Sequence, residues 1–195
     1  MPHVPTEVRR QQFIDAAITV IARDGVDGAT TRRIADEAAA PLATLHYCFQ
    51  TKENLLWAVF QSLADTVRIN VEKVTGPGQA TAAIATRLLA EAVRWGIDNP
   101  AATRAQIEIL LWAERNDRAF AVRVYDMFID SWKGYLAGAR TPLPDEELET
   151  VTRMIVAMLD GLSLQLFTHG DTERALREAA TAEAMLTAYL RRRRR

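Results

Sequence analysis

One short stretch of the chain carries side chains whose hydrogen-bonding groups suit the atoms exposed on duplex nucleic acid, namely phosphate oxygens and base edges. Lys52 and Arg33 bring positive charge to phosphate, and the Tyr47 hydroxyl can donate a hydrogen bond to it. Thr44 offers a hydroxyl and a methyl group to a base edge, and Leu42 offers an apolar contact to a thymine methyl. These groups predict non-covalent recognition of a double helix.

The elements that position these groups are predicted to be two short helices followed at once by a third. Thr30 suits a helix N-cap, and Ile34 and Ala35 follow it at helical spacing. Pro41 suits the first turn of the second helix, where its missing N–H removes no hydrogen bond, and Thr51 is predicted to cap the third. Helix, tight turn, helix is the arrangement that places a second helix in a DNA major groove.

The second helix of this motif is predicted to turn Leu45 and Phe49 toward the core and its other side chains toward DNA. For Tyr47 the alternative is a place at the rim of the core, and Cys48 is interpreted as a packed thiol rather than a redox sensor. The residues predicted to contact DNA are Thr30, Arg33, Leu42, Ala43, Thr44, His46, Tyr47 and Lys52.

The motif is part of a longer pattern that continues past the second helix. In register with that pattern are Thr30, Ile34, Ala35, Thr44, Leu45, Phe49, Lys52, Glu53 and Leu55. By these residues the stretch resembles the DNA-binding domain of TetR-type transcriptional regulators. Four positions depart from the family pattern: Ala39 replaces the turn glycine, Pro41 a serine, Ala43 a glycine and His46 a tyrosine. If residue 39 requires a positive φ, alanine there is strained by roughly 1 kcal/mol.

The charge balance limits how the chain can bind nucleic acid. The formal net charge is −1, and the first 53 residues hold one more acidic than basic side chain. Bulk charge therefore cannot drive binding, but local contacts and helix N-termini can still position a protein on phosphate. Arg9 and Arg10 fit either phosphate contact or a solvated charged face, and the five arginines at 191–195 fit either an electrostatic tail or a solvated end.

Composition predicts an all-α protein, because 49% of the residues are apolar and alternating β-branched runs are missing, and the helical stretches along the chain number about nine. Cys48 is the only cysteine, which fits a reduced, cytoplasmic setting. No run approaches the ~18 continuous apolar residues of a membrane span, so no membrane association is expected. The sequence also has no metal-ligand spacing, phosphate-binding glycine loop or nucleophile elbow, and we predict no metal and no cofactor.

The chain is predicted to divide into a helix-turn-helix DNA-binding domain over residues 1–53 and a ligand-binding and dimerisation domain over residues 54–195. A first helix over 5–24 is expected to end at Gly25, and a loop is expected over 75–78. Later helices are predicted to begin at Pro100 and to be capped by Asp117 or its neighbour Asn116, by Asp145 and by Asp171.

The helix that follows Asp145 is apolar on several sides and must be covered by neighbouring helices. Its segment Asp160–Gln165 resembles BetI-like members of the family, in which the last two helices pair with their twins. The resemblance implies a homodimer interface through Met158, Gly161, Leu162, Gln165, Leu186 and Tyr189. For Gly161 the alternative is a tolerated helix glycine that costs roughly 1 kcal/mol.

The resemblance also implies an unknown small-molecule effector and a cavity for it in the second domain. The large side chains proposed to line it are Trp95, Trp112, Tyr125, Phe128 and Met158, and for each an ordinary core position is the alternative. The expected function is a homodimeric repressor that binds a palindromic double-stranded DNA operator and is released by the effector.

Two other function classes are open at this point. The acidic balance and the altered turn favour a TetR-like helical protein that binds lipids or other hydrophobes and has no DNA role. An enzyme on a helical bundle is disfavoured, because His3, His46 and His169 are scattered and form no carboxylate–histidine cluster in the sequence.

Overall fold

The structure is a computed structural model that describes residues 5–74 and 78–192. Within these residues the chain forms helices and no strands, which confirms the all-α prediction. The helices are α1 (Thr6–Gly28), α2 (Thr31–Glu37), α3 (Leu42–Phe49), α4 (Lys52–Val74), α5 (Thr81–Asp98), α6 (Pro100–Asn116), α7 (Arg118–Ala137), α8 (Asp145–His169) and α9 (Thr172–Arg192). Most of the loop predicted over 75–78, and the last three arginines of the tail, lie outside the described residues.

Four N-caps predicted from side-chain type are confirmed by hydrogen bonds. Thr30, Thr51, Asp117 and Asp171 each accept one from the backbone N–H three residues later, at 3.3, 3.1, 3.0 and 2.9 Å. Each bond satisfies one of the N–H groups that a helix leaves without an internal partner. These caps fix where α2, α4, α7 and α9 begin.

Two boundary predictions are wrong in detail. The N-cap of α8 is Pro144, which makes no side-chain cap, and Asp145 lies inside the first turn. There its negative charge, with those of Glu146 and Glu147, interacts favourably with the positive end of the helix dipole. Pro41 is likewise the N-cap of α3 rather than its first residue. In both cases proline and its extended backbone precede the helix instead of entering it.

Gly25 breaks α1 as predicted, because its φ of 71° is not helical. The chain continues for one further turn, so the helical segment reaches Gly28 instead of ending at Asp24. Val26 in this turn is 2% exposed.

The described chain groups into two compact units. The first comprises Met1–Asp65 and Pro100–Ala121, so α6 joins the N-terminal helices, and α1 packs against α2, α3 and α6. Its core side chains include Phe13, Ile21, Ile34, Leu45, Phe49, Leu55, Leu56 and Ile109. This core positions the recognition motif. The functional boundary after residue 53 remains a prediction.

The second unit comprises Thr66–Asn99 and Val122–Arg195, and in it α5 packs against α8 and α9, which also contact each other. The buried residues of α8 all lie in its first half: Leu148, Val151, Thr152, Ile155 and Val156. Among the described helices, α8 is the one long and apolar enough to cross a membrane by length and composition, criteria that core helices of soluble proteins also meet. Apolar side chains in its second half, among them Met158 and Leu162, remain partly exposed, and Leu164 is 55% exposed.

Candidate nucleic-acid interface

Helix α3 has the two faces that the sequence predicts. Leu45 and Phe49 are 1% and 2% exposed and anchor the helix to the core of the first unit. Tyr47 is 78% exposed, so it is not a rim residue of the core. The side chains on the outer face are wholly or partly exposed: Leu42, Ala43, Thr44, His46 and Tyr47. The arrangement presents hydroxyl, imidazole and methyl groups on a surface one helix wide, which suits a major groove.

Both turns that flank α3 contain a residue other than glycine with positive φ. Ala39 has a φ of 47° and Gln50 a φ of 63°. Residue 39 therefore has the positive φ at which alanine is strained by roughly 1 kcal/mol. The turn before α3 is held by backbone hydrogen bonds from Ala39 to Asp36 and from Ala40 to Ala35, both at 3.0 Å. The positive φ at Gln50 has no signal in the sequence.

Arg33 is exposed but already engaged within the first unit. One of its Nη atoms donates to the Gly28 carbonyl at 3.2 Å and to Asp24 at 3.4 Å. The pKa of Asp24 is lowered, first by its hydrogen bond with Arg23 and further by the charges of Arg23 and Arg33. A guanidinium has five N–H groups, so Arg33 keeps donors for a phosphate. That contact remains a prediction.

Lys52 is half-buried, and its Nζ donates to the Val26 carbonyl at 2.5 Å. Burial lowers the pKa of the ammonium group, while the charges of Asp27 and Glu53 oppose that shift. The side chain therefore ties the start of α4 to the last turn of α1. Two of its three N–H groups are left for a phosphate contact, which remains a prediction.

For Arg10 the sequence left phosphate contact and a solvated charged face as alternatives. Its Nη1 donates to the carbonyl of Cys48 at 3.0 Å, and its guanidinium carbon lies 4.4 Å from the centroid of the Phe49 ring. Arg10 is therefore not part of a solvated charged face. Its side chain links α1 to the recognition helix.

Comparison with known proteins identifies the fold and its regulatory class. Residues 13–59 match the family model described as bacterial regulatory proteins, tetR family. The HTH-type nicotine-responsive transcriptional repressor HdnoR of Paenarthrobacter nicotinovorans is 35% identical over 167 residues, covering 84% of this chain and 86% of that protein. The chain belongs to the TetR family. It is a transcriptional regulator of this family, whose members are regulators and not enzymes.

The similarity extends beyond the DNA-binding part. The HTH-type transcriptional regulator BetI of Rhizobium meliloti is 28% identical over 167 residues, covering 85% of this chain and 81% of that protein. The solved structure of the multidrug binding protein EbrR with ethidium is 26% identical with a TM-score of 0.65, covering 92% of this chain and 99% of that one. Both the TetR-family motif and the helices that follow it therefore have known counterparts.

The residues proposed to line the effector cavity of this TetR-family chain fall into different environments. Trp112 belongs to the first unit, where its Nε1 donates to Asp27 at 3.0 Å. Phe128 is 6% exposed and packs against Trp132 with ring centroids 5.2 Å apart. Trp95 borders a cleft of about 310 Å³ whose other lining residues are polar or charged. A shared effector cavity lined by the five residues remains a prediction.

Tyr125 is the proposed effector residue with the most distinctive polar contact. Its hydroxyl donates to Asp160 at 2.9 Å. Burial is the main reason that the pKa of Tyr125 is raised, and burial also raises the pKa of Asp160 against the effect of this hydrogen bond. Met158, on the same helix as Asp160, is half-buried. A carboxylate is thus placed beside an aromatic ring in the second unit.

Most residues proposed for the dimer interface have accessible surface, with one exception. Tyr189 is 44% exposed, Gln165 is exposed, and Met158, Gly161 and Leu162 are partly exposed. Leu186 is only 4% exposed and packs inside its own unit, so we leave it out of the proposed interface. A β-carbon added at Gly161 would meet no atom within 4 Å, which leaves that face of α8 open.

Two exposed methionines lie on the proposed interface sides of α8 and α9 and were not among the interface residues predicted from the sequence. Met154 and Met185 are 49% and 60% exposed. Met154 precedes Met158, Gly161 and Gln165 at successive spacings of four, three and four residues, the interval of a helix-pairing seam. That spacing was the available signal.

Proposed function

We propose that this TetR-family regulator is a homodimeric repressor that inserts α3 into the major groove of a palindromic operator. The observation that carries the proposal is the division of α3 into a buried face, Leu45 and Phe49, and an exposed face that includes Thr44 and Tyr47. One such helix makes few base contacts, whereas two related by a two-fold axis read two half-sites about 34–36 Å apart, or a multiple of that distance. We place the protein in the cytoplasm, with its DNA.

The proposed dimer forms through the exposed sides of α8 and α9. On α8 the seam consists of Met154, Met158, Gly161 and Gln165, and on α9 it consists of Ala182, Met185 and Tyr189. Adjacent members of each seam are three or four residues apart and share one helix face. Because α8 and α9 contact each other, the two seams can pair with their copies as a four-helix bundle. This arrangement would cover the apolar second half of α8.

The proposed effector is a small aromatic compound that carries an amine. HdnoR is named as nicotine-responsive, and EbrR has been solved with ethidium. In this chain, the hydrogen bond between Tyr125 and Asp160 places an aromatic side chain beside a carboxylate. Release from DNA requires only that the effector bind the non-DNA state better, by roughly 1–3 kcal/mol of coupling.

Thr44→Ala tests whether α3 reads base edges. Affinity is measured by titration against the operator and against duplexes that carry each single base-pair substitution. Because the proposed contact reaches one base edge, discrimination at one base pair in each half-site is expected to fall about threefold to tenfold. Thr150→Ala, which removes an exposed helical threonine from α8, is the matched control and should change nothing. An equal loss of affinity for every sequence would show that Thr44 does not read a base.

A further inference from the structure

The C-terminal turn of the recognition helix is capped by a side chain from another helix. The last carbonyls of an α-helix have no partner within it. In α3 the His46 carbonyl accepts from the Gln50 N–H at 2.9 Å, and the Phe49 carbonyl accepts from the Thr51 N–H at 2.7 Å. The Cys48 carbonyl accepts instead from Arg10 Nη1 at 3.0 Å, across 38 positions in sequence.

The same arginine holds the aromatic anchor of α3. The guanidinium of Arg10 lies over the face of Phe49, 4.4 Å from the ring centroid, and Phe13 meets Phe49 in an edge contact with centroids 6.4 Å apart. Arg10 and Phe13 are three residues apart and share one face of α1. A cation on a ring face and at a helix C-terminus is favourable for two separate reasons, the ring quadrupole and the helix dipole.

The Arg10 contact also determines the orientation of α3, because this helix is only eight residues long and is followed directly by Gln50 at a positive φ. The anchoring side chains Leu45 and Phe49 set which face is buried, but rotation and tilt about them are limited by the contact at the last turn. Arg10 provides that contact from α1, against which α3 packs.

We propose that Arg10 is a positioning residue for base reading: it sets the orientation of α3 through Cys48 and Phe49 and does not bind a phosphate. The proposal rests on the proposed function, in which α3 enters the groove. Base-edge hydrogen bonds require close alignment, whereas phosphate contacts tolerate small displacements. Loss of Arg10 should therefore reduce preference for the operator more than general affinity for DNA.

The test compares Arg10→Lys and Arg10→Met with the wild type in the full chain. Lysine keeps the charge but loses the planar group that both donates to Cys48 and covers Phe49, and methionine keeps the apolar stem without the charge. Binding to an operator selected by the wild type and to a scrambled duplex of equal length is titrated at several salt concentrations. Circular dichroism and thermal melting check that each variant is folded. Arg9→Met, which removes the neighbouring charge, is the matched control.

Both Arg10 variants are expected to lower the ratio of operator to scrambled affinity about threefold to tenfold, with an unchanged salt slope, while Arg9→Met leaves the ratio unchanged. An unchanged ratio would overturn the proposal. If both affinities fall equally with a salt slope lower by about one, Arg10 contacts a phosphate instead, and if they fall equally after a loss of folded protein, Arg10 has only a structural role. A wild type that prefers no duplex would instead overturn the proposed function itself, so the two failures are distinct.

Discussion

Phe49→Ala is expected to destabilise the first unit by about 3–5 kcal/mol and to abolish DNA binding, because the ring is buried between α1 and α3. Phe49 is 2% exposed and contacts both Phe13 and the Arg10 guanidinium. Removing it leaves a cavity and releases the helix that carries the outer face. Urea denaturation followed by circular dichroism, together with DNA titration, measures both effects. A loss of this size is a large fraction of the stability of an ordinary domain.

Tyr47→Ala on the opposite face of α3 is the matched control for this effect. The Tyr47 side chain is 78% exposed, so the free energy of unfolding should change by less than about 0.5 kcal/mol. DNA affinity should nevertheless fall, because the hydroxyl is proposed to bind phosphate. If Phe49→Ala retains full stability and binding, or if Tyr47→Ala unfolds the protein, the assignment of inner and outer faces is wrong.

Met185→Glu is expected to convert the dimer into a monomer and to weaken operator binding by about a hundredfold or more, since linked half-site binding is lost. The side chain is 60% exposed on α9, so glutamate should be tolerated in a monomer, but it would be an unpaired charge in the proposed interface. Analytical ultracentrifugation gives the oligomeric state, and titration gives the affinity. Ala180→Glu introduces the same charge at an exposed position away from the Met185 seam and should leave the dimer intact.

Gly161→Leu provides an independent test on α8. The added side chain meets no atom within 4 Å at its β-carbon, so the protomer should fold normally. At a close approach of two helices the same side chain should obstruct pairing and lower the dimer fraction. A stable dimer for both Met185→Glu and Gly161→Leu would mean that α8 and α9 do not form the interface.

Features with a local cause in the chain were predictable from sequence. Thr30, Thr51, Asp117 and Asp171 cap helices because their side-chain oxygens lie three residues before a free N–H, and that relation is visible in the sequence. The separation of Leu45 and Phe49 from the outer face of α3 follows from helical periodicity in the same way. The prediction that Asp145 caps α8 was wrong, because Pro144 takes the capping position with an extended backbone.

Contacts between distant residues could not be predicted in this way. The hydrogen bond from Trp112 to Asp27 spans 85 positions and lies within the first unit, whereas Trp112 was proposed for an effector cavity from its size and the family resemblance. Lys52 similarly satisfies the Val26 carbonyl, 26 positions away. These partners depend on how the helices pack. Periodicity predicts which face of a helix is buried, but it does not predict which residues of another helix that face will contact. Met154 and Met185 could have been predicted, because their helical spacing within the seams is visible in the sequence.

The most direct test of DNA reading is selection of genomic fragments by the purified wild-type protein at moderate salt, with sequencing of what is retained. We expect enrichment of a palindromic motif with half-sites about one helical turn apart, or a multiple of it, and binding that weakens as salt rises. No enrichment over background would contradict sequence-specific DNA binding by this chain. It would favour the alternative of a helical hydrophobe-binding protein, consistent with a chain whose formal net charge is −1 and whose Arg33 and Lys52 are engaged within the first unit.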